Sequence, residues 1–198
     1  MKKTLLLSLL TVLTFITACK KNDPATNTDS EFYYEATIDG AKYKVSAPPD
    51  NANPDFSAGS GLTALGFDAT YTSNISDYRP NGTGMFVSKG ILIDYLTSTD
   101  QEFRNFFAPG IYNYAPTFSE GVTIAWADKA GKIWVTDNAP EDQTGSSFRI
   151  ISSEDSPGDI RGRLYVKTKI QFNCKLYDEA GNVKQASGTY VGLFGKVE

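Results

Sequence analysis

The stretch RGRLYVKTKIQFNCKLY, residues 161–177, decides the fold. Its even positions carry apolar or small side chains, among them Ile170 and Leu176, whereas its odd positions are mostly basic, amide or tyrosine side chains. A period of two sustained over this length predicts a β-strand with one face in the core and the other in water. At ~3.3 Å per residue the strand would reach about 50 Å, so we expect a bend or a bulge within it.

The segment DEAGN, residues 178–182, predicts a turn, and residues 183–197 predict the returning strand. Two pairings of this hairpin are possible, and a shift of one residue exchanges the two faces. One pairing places Val191 opposite Ile170 and turns Tyr190 and Phe194 outward. The other places Val191 opposite Lys169. The sequence favours the first pairing, because it sets apolar residues against apolar residues.

Strand signals continue along the rest of the chain. The dipeptide Asp39-Gly40 joins two short segments and is the strongest hairpin signal in the sequence. The remaining strands are expected at residues 32–38, 41–46, 62–72, 85–96, 121–127, 132–137 and 146–152. Residues 47–61 and 73–84 are rich in glycine, asparagine and serine and are expected to be loops.

One helix is expected, at residues 98–107. A hydroxyl residue at its start, Ser98 or Thr99, with Gln101 or Glu102 three positions on, forms a capping box. Its apolar face consists of Phe103, Phe106 and Phe107. Such a helix is suited to cover an open end of a β core.

These elements predict an all-β fold. Many antiparallel strands at short spacing, one short helix and no alternation of strands with helices indicate a sandwich or a barrel. We favour an antiparallel β-sandwich with jelly-roll-like connections, formed by a single domain over residues 31–198. An up-and-down barrel of the lipocalin kind is the alternative.

The N-terminus has the layout of a secretory signal. Lys2 and Lys3 precede an apolar run that ends at residue 18, and Cys19 follows a small residue, as in a bacterial lipobox. We therefore expect a signal peptide at residues 1–18, lipidation of Cys19 after cleavage, and a flexible polar tether at residues 19–30. The protein is then expected in the cell envelope as an outer-membrane lipoprotein, on either the periplasmic or the surface-exposed side.

The segment from Cys19 to Asp23 resembles the start of many Bacteroidota lipoproteins, in which a short polar stretch after the cysteine is associated with export to the surface. The segment FYYEATIDGAKY, residues 32–43, resembles the F-x-A-x-I-D-G hairpin of a group of lipoprotein β domains from that phylum. Residues 109–112 and 188–192 resemble the later G-x-Y and G-x-F segments of the group. The resemblance implies a β domain on a lipid anchor and no catalytic residues.

Composition excludes several functions. Removal of Lys2 and Lys3 with the signal leaves 17 of the 19 basic side chains against 23 acidic ones, and so acidic a chain lacks the basic surface that nucleic acids require. The chain contains no histidine, which excludes Ser-His-Asp and Cys-His catalysis and histidine zinc sites. We expect no metal and no cofactor, and Cys174 is expected to be a buried free thiol.

Three aromatic side chains are the candidate ligand-binding residues. Trp134 lies opposite Ile133 and Val135 along its strand and is expected to be an exposed stacking surface for a sugar, whereas Tyr112 and Tyr114 are expected at a rim. Two charged features remain. One is the basic stripe of the long strand, Arg161, Arg163, Lys167, Lys169 and Lys175. The other is a set of acidic loops at residues 50–55, 137–142 and 154–159, which could offer oxygens to calcium.

The sequence therefore favours a non-enzymatic binding module, with a glycan as the expected ligand. An accessory subunit that docks on another envelope protein through the basic stripe is the alternative. A carboxylate-based hydrolase is the third hypothesis, and it would need two carboxylates that converge in a cleft.

Overall fold

The computed structural model describes residues 31–47, 54–139, 142–156 and 162–196. The predicted signal peptide, the tether and Cys19 lie outside these residues. The described part of the chain forms eleven strands and one helix, in the order β1 (Phe32–Ile38), β2 (Ala41–Ala47), β3 (Phe56–Leu65), β4 (Asp68–Asp77), β5 (Gly84–Leu92), α1 (Asp100–Phe106), β6 (Gly110–Tyr112), β7 (Gly121–Ala127), β8 (Ile133–Val135), β9 (Ser147–Ser156), β10 (Tyr165–Tyr177) and β11 (Val183–Gly195). No helix in the described segments is long and apolar enough to cross a membrane.

All the strands belong to one strongly curled antiparallel sheet. Its order is β2-β1-β11-β10-β8-β7-β5-β4-β3, and β9 pairs with β10 and carries β6 at its outer edge. The curl brings β3 and β4 against β11, so that the two halves of the sheet pack face to face around one core. The predicted all-β fold with one short helix is confirmed. Most strands that follow one another along the chain also lie next to one another in the sheet. This order of connections is closer to that of an up-and-down barrel than to that of a jelly roll.

The long strand β10 has the predicted alternation. Its even positions from Val166 to Leu176 are all buried. Its ladder with β9 shifts register between Lys169 and Ile170, where Ile151 of β9 is left without an opposite partner. The bulge therefore lies in β9, beside β10, rather than within β10 itself. It explains why two consecutive residues of β9, Ile151 and Ser152, are both exposed.

Cys174 is a free and buried thiol, as predicted. Burial raises the pKa of this thiol to about 12, so the group stays protonated and packs as a small apolar side chain.

The first hairpin turns at Asp39-Gly40, as predicted. Ile38 pairs directly with Ala41, and both turn residues have positive φ, 46° and 79°. This is the two-residue turn whose twist matches that of the strands it joins, which accounts for the Asp-Gly sequence.

The region of β3 and β4 differs from the prediction. The expected strand at residues 62–72 and the expected loops on either side of it are instead a hairpin of two ten-residue strands, with a turn at Gly66-Phe67. The sequence of β3 begins FSAGSG. Because these small residues have low β propensity, the sequence does not indicate a strand here. They are needed because β3 packs closely on β11: a Cβ added to Gly195 would come within 2.8 Å of the Ser60 hydroxyl.

The register predicted for the β10–β11 hairpin is wrong. Ile170 pairs with Tyr190, and Val191 pairs with Lys169. Tyr190 and Phe194 lie in the core, with exposures of 0% and 1%. The larger aromatic surfaces gain more from burial than those of valine and leucine do, and this outweighs the loss of the matched apolar pairs.

The turn sets this register. Asp178 pairs with Asn182 across three residues, and Gly181 adopts positive φ, 80°. The Asp178 carboxylate accepts hydrogen bonds from the backbone N–H groups of Ala180 and Asn182. Residues 128–132, DKAGK, form the same turn, in which Asp128 accepts two backbone N–H groups in the same way. The shared D-x-A-G sequence marks a three-residue hairpin loop with glycine in the left-handed conformation.

Tyr190 connects the two halves of the curled sheet. Its hydroxyl lies 2.8 Å from the Ser73 hydroxyl of β4. Beside it, Gly192 has no side chain, and a Cβ at this position would collide with the Ser73 hydroxyl and the Tyr190 ring. Glycine is therefore required where β11 meets β4.

Helix α1 covers one end of the core, as predicted. Thr99 caps it, and the reciprocal hydrogen bonds between Thr99 and Glu102 complete the capping box. Its apolar face packs into an aromatic cluster, in which Phe107 stacks on Phe194 with ring centroids 4.3 Å apart. Tyr71 meets the same face edge-on, 5.1 Å from Phe103.

Lys89 of β5 is buried under this helix. Its ammonium lies 3.9 Å from the centroid of Phe106 and 4.3 Å from that of Tyr112, and no ion pair to it forms within the described residues. Desolvation lowers the pKa of Lys89 to about 8, against a weaker opposing effect of Glu120. The two rings supply cation–π attraction in place of a carboxylate.

We expect Gly192→Ala to lower the free energy of unfolding by about 2 kcal/mol or more, because the new methyl group overpacks the contact between β11 and β4. Gly61→Ala in β3 is the matched control. A Cβ there meets open space, so its effect should stay within about 0.5 kcal/mol. Urea unfolding of both variants measures the difference, and equal effects would contradict the close approach.

We expect Lys89→Met to stabilise the fold at pH 7 by about 1–3 kcal/mol, because it removes a buried ammonium while keeping the apolar stem. The folded pKa lies below that of the unfolded chain, so the unfolded state holds the extra proton between about pH 8 and pH 10.5. The free energy of unfolding of the wild type therefore increases relative to that of the variant as the pH rises through this window. Unfolding at pH 7, 9 and 10 checks the sign, and a constant difference would contradict it.

Candidate functional site

A concave groove of about 750 Å³ lies on the outer face of the sheet. It crosses β2, β1, β11, β10, β9 and β6, which lie side by side there. The inner face of these strands is occupied by the core, so the outward side chains of the same strands are available to line the groove.

The lining side chains form two rows that run across the strands. Directly opposed residues in neighbouring strands share a face, so each row follows the register of the sheet. The first row is Lys44, Glu35, Thr189, Gln171, Arg149 and Ile111. The second row is Lys42, Thr37, Ser187, Asn173 and Ser147. With strands ~4.8 Å apart, the first row is about 24 Å long.

The middle of the groove consists of uncharged hydrogen-bonding groups. Within the described residues, the side chains of Gln171, Asn173, Ser187 and Thr189 have no hydrogen-bond partner. Amide and hydroxyl groups both donate and accept. The groove therefore offers a continuous set of donors and acceptors to a polar ligand.

Cations flank this polar centre. Arg149 on β9 and Lys42 on β2 are exposed, at opposite sides of the groove, and neither forms an ion pair with a described residue. Lys44 lies 3.7 Å from Glu35, and both are well exposed. The groove is thus a locally basic surface on an acidic protein, which favours a ligand that carries a carboxylate or another acidic group.

Glu35 is the one carboxylate among the residues that line the groove. Acid–base hydrolysis of a glycosidic bond uses a pair of carboxylates, and the described residues that line the groove include only this one. No group of His, Cys, Asp and Glu side chains suited to hold a metal ion occurs in the described residues. The amide, hydroxyl and cationic groups that the structure describes in the groove can bind and orient a polar ligand.

The expected exposure of Trp134 is wrong. The residue is 6% exposed and pairs directly with the buried Trp126, so it lies on the core face, whereas Ile133 points outward. Its indole N–H donates to the Asp128 carboxylate at 3.0 Å. The ammonium groups of Lys132 and Lys184 lie 4.6 and 4.4 Å from its ring. A sugar would find no open ring face there.

The physical reason is the turn between β7 and β8. The three-residue loop places Trp134 opposite Trp126, and the core position of Trp126 then puts both indoles on the same side. Residues 132–137 alternate over too few positions for their sequence to indicate which side chains point into the core.

Tyr112 and Tyr114 are structural rather than exposed. The Tyr112 hydroxyl donates to the carbonyl of Ala108 at 2.6 Å. The Tyr114 hydroxyl lies 3.2 Å from the carbonyls of both Ser147 and Asn173, and burial raises the pKa of this hydroxyl. The structure does not bring these tyrosines together with Trp134 in one groove, and none of the three lines the groove described above.

Two lysines of the basic stripe on β10 form ion pairs. Lys167 pairs with Glu31 and Glu154, at 2.9 and 2.7 Å, and Lys175 pairs with Asp142 at 3.1 Å. Arg161 lies outside the described residues. The stripe is therefore not a continuous free basic surface for a partner.

The acidic loops show a similar pattern. Asp155 forms a bidentate pair with Arg104, and Asp137 accepts a hydrogen bond from Thr117. Residues 50–53, Glu141 and Asp159 lie outside the described residues. The carboxylates that the structure describes in these loops are engaged with cations or hydroxyls rather than gathered around a cation site.

Sequence reasoning missed the groove. The outward positions Gln171 and Asn173 were visible in the alternation of β10, but the identity of the strands beside β10 was not. Arg149 precedes a bulge in β9, and Thr189 belongs to a strand whose register was wrongly predicted. The available signal was the D-x-A-G turn, which specifies the register of β11 and with it the outward position of Thr189.

No protein-family model matches the chain, and neither does any curated protein or solved structure. The site is therefore interpreted from its own geometry.

Proposed function

We propose that this protein is an exported lipoprotein of the cell envelope that acts as a non-enzymatic binding module for a glycan bearing acidic groups. The observation that carries the proposal is the groove between Arg149 and Lys42, where four polar side chains have no hydrogen-bond partner among the described residues: Gln171, Asn173, Ser187 and Thr189. The lipobox-like sequence at Cys19 and the resemblance to Bacteroidota lipoprotein domains support the envelope location.

The groove suits an oligosaccharide in three ways. Its length of about 24 Å accommodates several linked units rather than one small molecule. Its amide and hydroxyl groups match the hydroxyls of a sugar, which also both donate and accept. Ile111, which is 77% exposed, adds apolar surface for the C–H face of a ring.

Arg149 would bind an acidic substituent. Its guanidinium presents a planar set of donors that matches a carboxylate in a bidentate manner. Lys42, on the far side of the groove, would attract a second acidic group as a point charge.

We expect the purified chain to bind uronic-acid-containing oligosaccharides more tightly than neutral ones in calorimetric titrations. Arg149→Ala should weaken this binding about tenfold, the equivalent of one charge-assisted hydrogen bond. The matched control is Lys169→Ala, which removes an exposed positive charge from β10 outside the groove. Equal losses in the two variants would show a general charge effect. Binding of acidic peptides alone would replace the glycan as the ligand.

We expect Cys19 to carry the membrane anchor. Metabolic fatty-acid labelling should mark the wild-type chain and not the Cys19→Ala variant, which should leave the membrane fraction. The one other cysteine, Cys174, is buried and keeps its proton, so it offers no second acylation site. Continued labelling of the variant would contradict the assignment.

A further inference from the structure

One end of the groove brings an apolar, a cationic and an amide side chain next to one another. Ile111 on β6 pairs directly with Arg149 on β9, and Arg149 pairs directly with Gln171 on β10. Directly opposed residues of neighbouring strands share a face, and all three residues line the groove. We call these three residues the end subsite.

The exposure and the position of Ile111 point to a ligand. At 77% it is the most exposed large apolar side chain in the described part of the chain. A single exposed isoleucine is ordinary on a protein surface. This one, however, lies on the outer edge strand of the groove, directly beside a guanidinium that has no acidic partner among the described residues. An apolar group and a free cation are thus presented together.

The three side chains match three parts of one small acid. The Arg149 guanidinium binds a carboxylate through two parallel N–H groups. With the carboxylate fixed there, the substituents of its α-carbon lie between Ile111 and Gln171, whose strands are about 10 Å apart. A van der Waals contact of about 4 Å on one side and a hydrogen bond of about 2.9 Å on the other leave room for one methyl group and one oxygen.

This pattern distinguishes between classes of acidic sugar. In a uronic acid the α-carbon belongs to the ring and carries the ring oxygen and a carbon with a hydroxyl group, so no methyl group faces Ile111. In a lactyl ether the α-carbon carries a methyl group and an ether oxygen. The methyl group then covers Ile111, and the ether oxygen accepts a hydrogen bond from the amide of Gln171.

We propose that the end subsite selects a glycan whose acidic group is a lactyl ether, with the carboxylate on Arg149 and the methyl group on Ile111. The inference rests on the proposed function and deepens it, because it names the acidic substituent and the end of the groove that receives it. The sugar chain then extends from Gln171 toward its paired residue Thr189, along the hydrogen-bonding side chains of the groove.

The test compares three disaccharides in calorimetric titrations of the purified full-length protein. Chitobiose carries no acid, the hyaluronan disaccharide carries a ring carboxylate, and N-acetylglucosaminyl-N-acetylmuramic acid differs from chitobiose by a lactyl ether. We expect the lactyl disaccharide to bind about fourfold more tightly than the hyaluronan disaccharide, which is the effect of burying one methyl group. Chitobiose should bind more weakly than either acid.

Two variants assign this preference to a side chain. Ile111→Ser should weaken the binding of the lactyl disaccharide more than that of the hyaluronan disaccharide, and so remove the preference between them. The matched control is Ile133→Ser, which removes an isoleucine that is 50% exposed on β8 outside the groove and should keep the preference. Both substitutions lie on exposed positions, and thermal unfolding of the two variants checks that the fold is retained.

Each other outcome decides against a specific part of the proposal. Equal binding of the two acidic disaccharides, with chitobiose weaker, would overturn the lactyl preference and leave the proposed glycan function standing. A preference that Ile111→Ser retains would overturn the role of the end subsite. Binding of acetyl-D-alanyl-D-alanine alone, which presents the same methyl group and carboxylate on a peptide, would replace the glycan with a peptide. Failure of all these probes to bind would overturn the proposed function as well.

Discussion

The rest of the structure depends on the register of the β10–β11 hairpin. The Asp178 carboxylate accepts two backbone N–H groups of its turn, and its ion pair with the half-exposed Lys132 lowers the pKa of this aspartate. With the turn set, Tyr190 and Phe194 face inward. One residue of slip would place both rings in water and turn Val191 toward the core.

The inward aromatic residues then close the molecule. Tyr190 reaches across to Ser73 on β4, and Phe194 stacks on Phe107 of the helix. These contacts join the C-terminal strand to a hairpin far away in the chain and to the end-covering helix. The glycine and small residues of β11 and β3 are the counterpart, because they allow the two halves of the sheet to approach without collision. The curl of the sheet, the position of helix α1 and the aromatic part of the core therefore all depend on the register of the hairpin that turns at residues 178–182.

The same register produces the groove. Once the even positions of β10 are committed to the core, Gln171 and Asn173 face out, and the paired positions on β1, β9 and β11 must face out with them. The charge distribution separates the two outer regions of this long strand. At the start of β10, Lys167 is held between two carboxylates, whereas Arg149 and Lys42 at the groove have no acidic partner among the described residues. The proposed binding surface and a region of paired charges thus lie on one face of one sheet.

The sequence by itself determined the elements whose signals are local. The alternation of β10, the Asp39-Gly40 turn, the capping box of α1 and the burial of Cys174 all depend on residues within a few positions of one another, and all were predictable. The D-x-A-G turns were equally local and would have specified the register of two hairpins. Only the tertiary structure decided the face of Trp134, the existence of β3 and the composition of the groove. In the short strand β8, the side of the sheet on which Trp134 lies is set by its pairing with Trp126. The small residues of β3 are explained only by the close approach of β11. The rows of the groove combine residues that are far apart in the chain, such as Lys42 and Thr189. Such arrangements depend on which strands become neighbours, and that choice is made by the packing of the whole core.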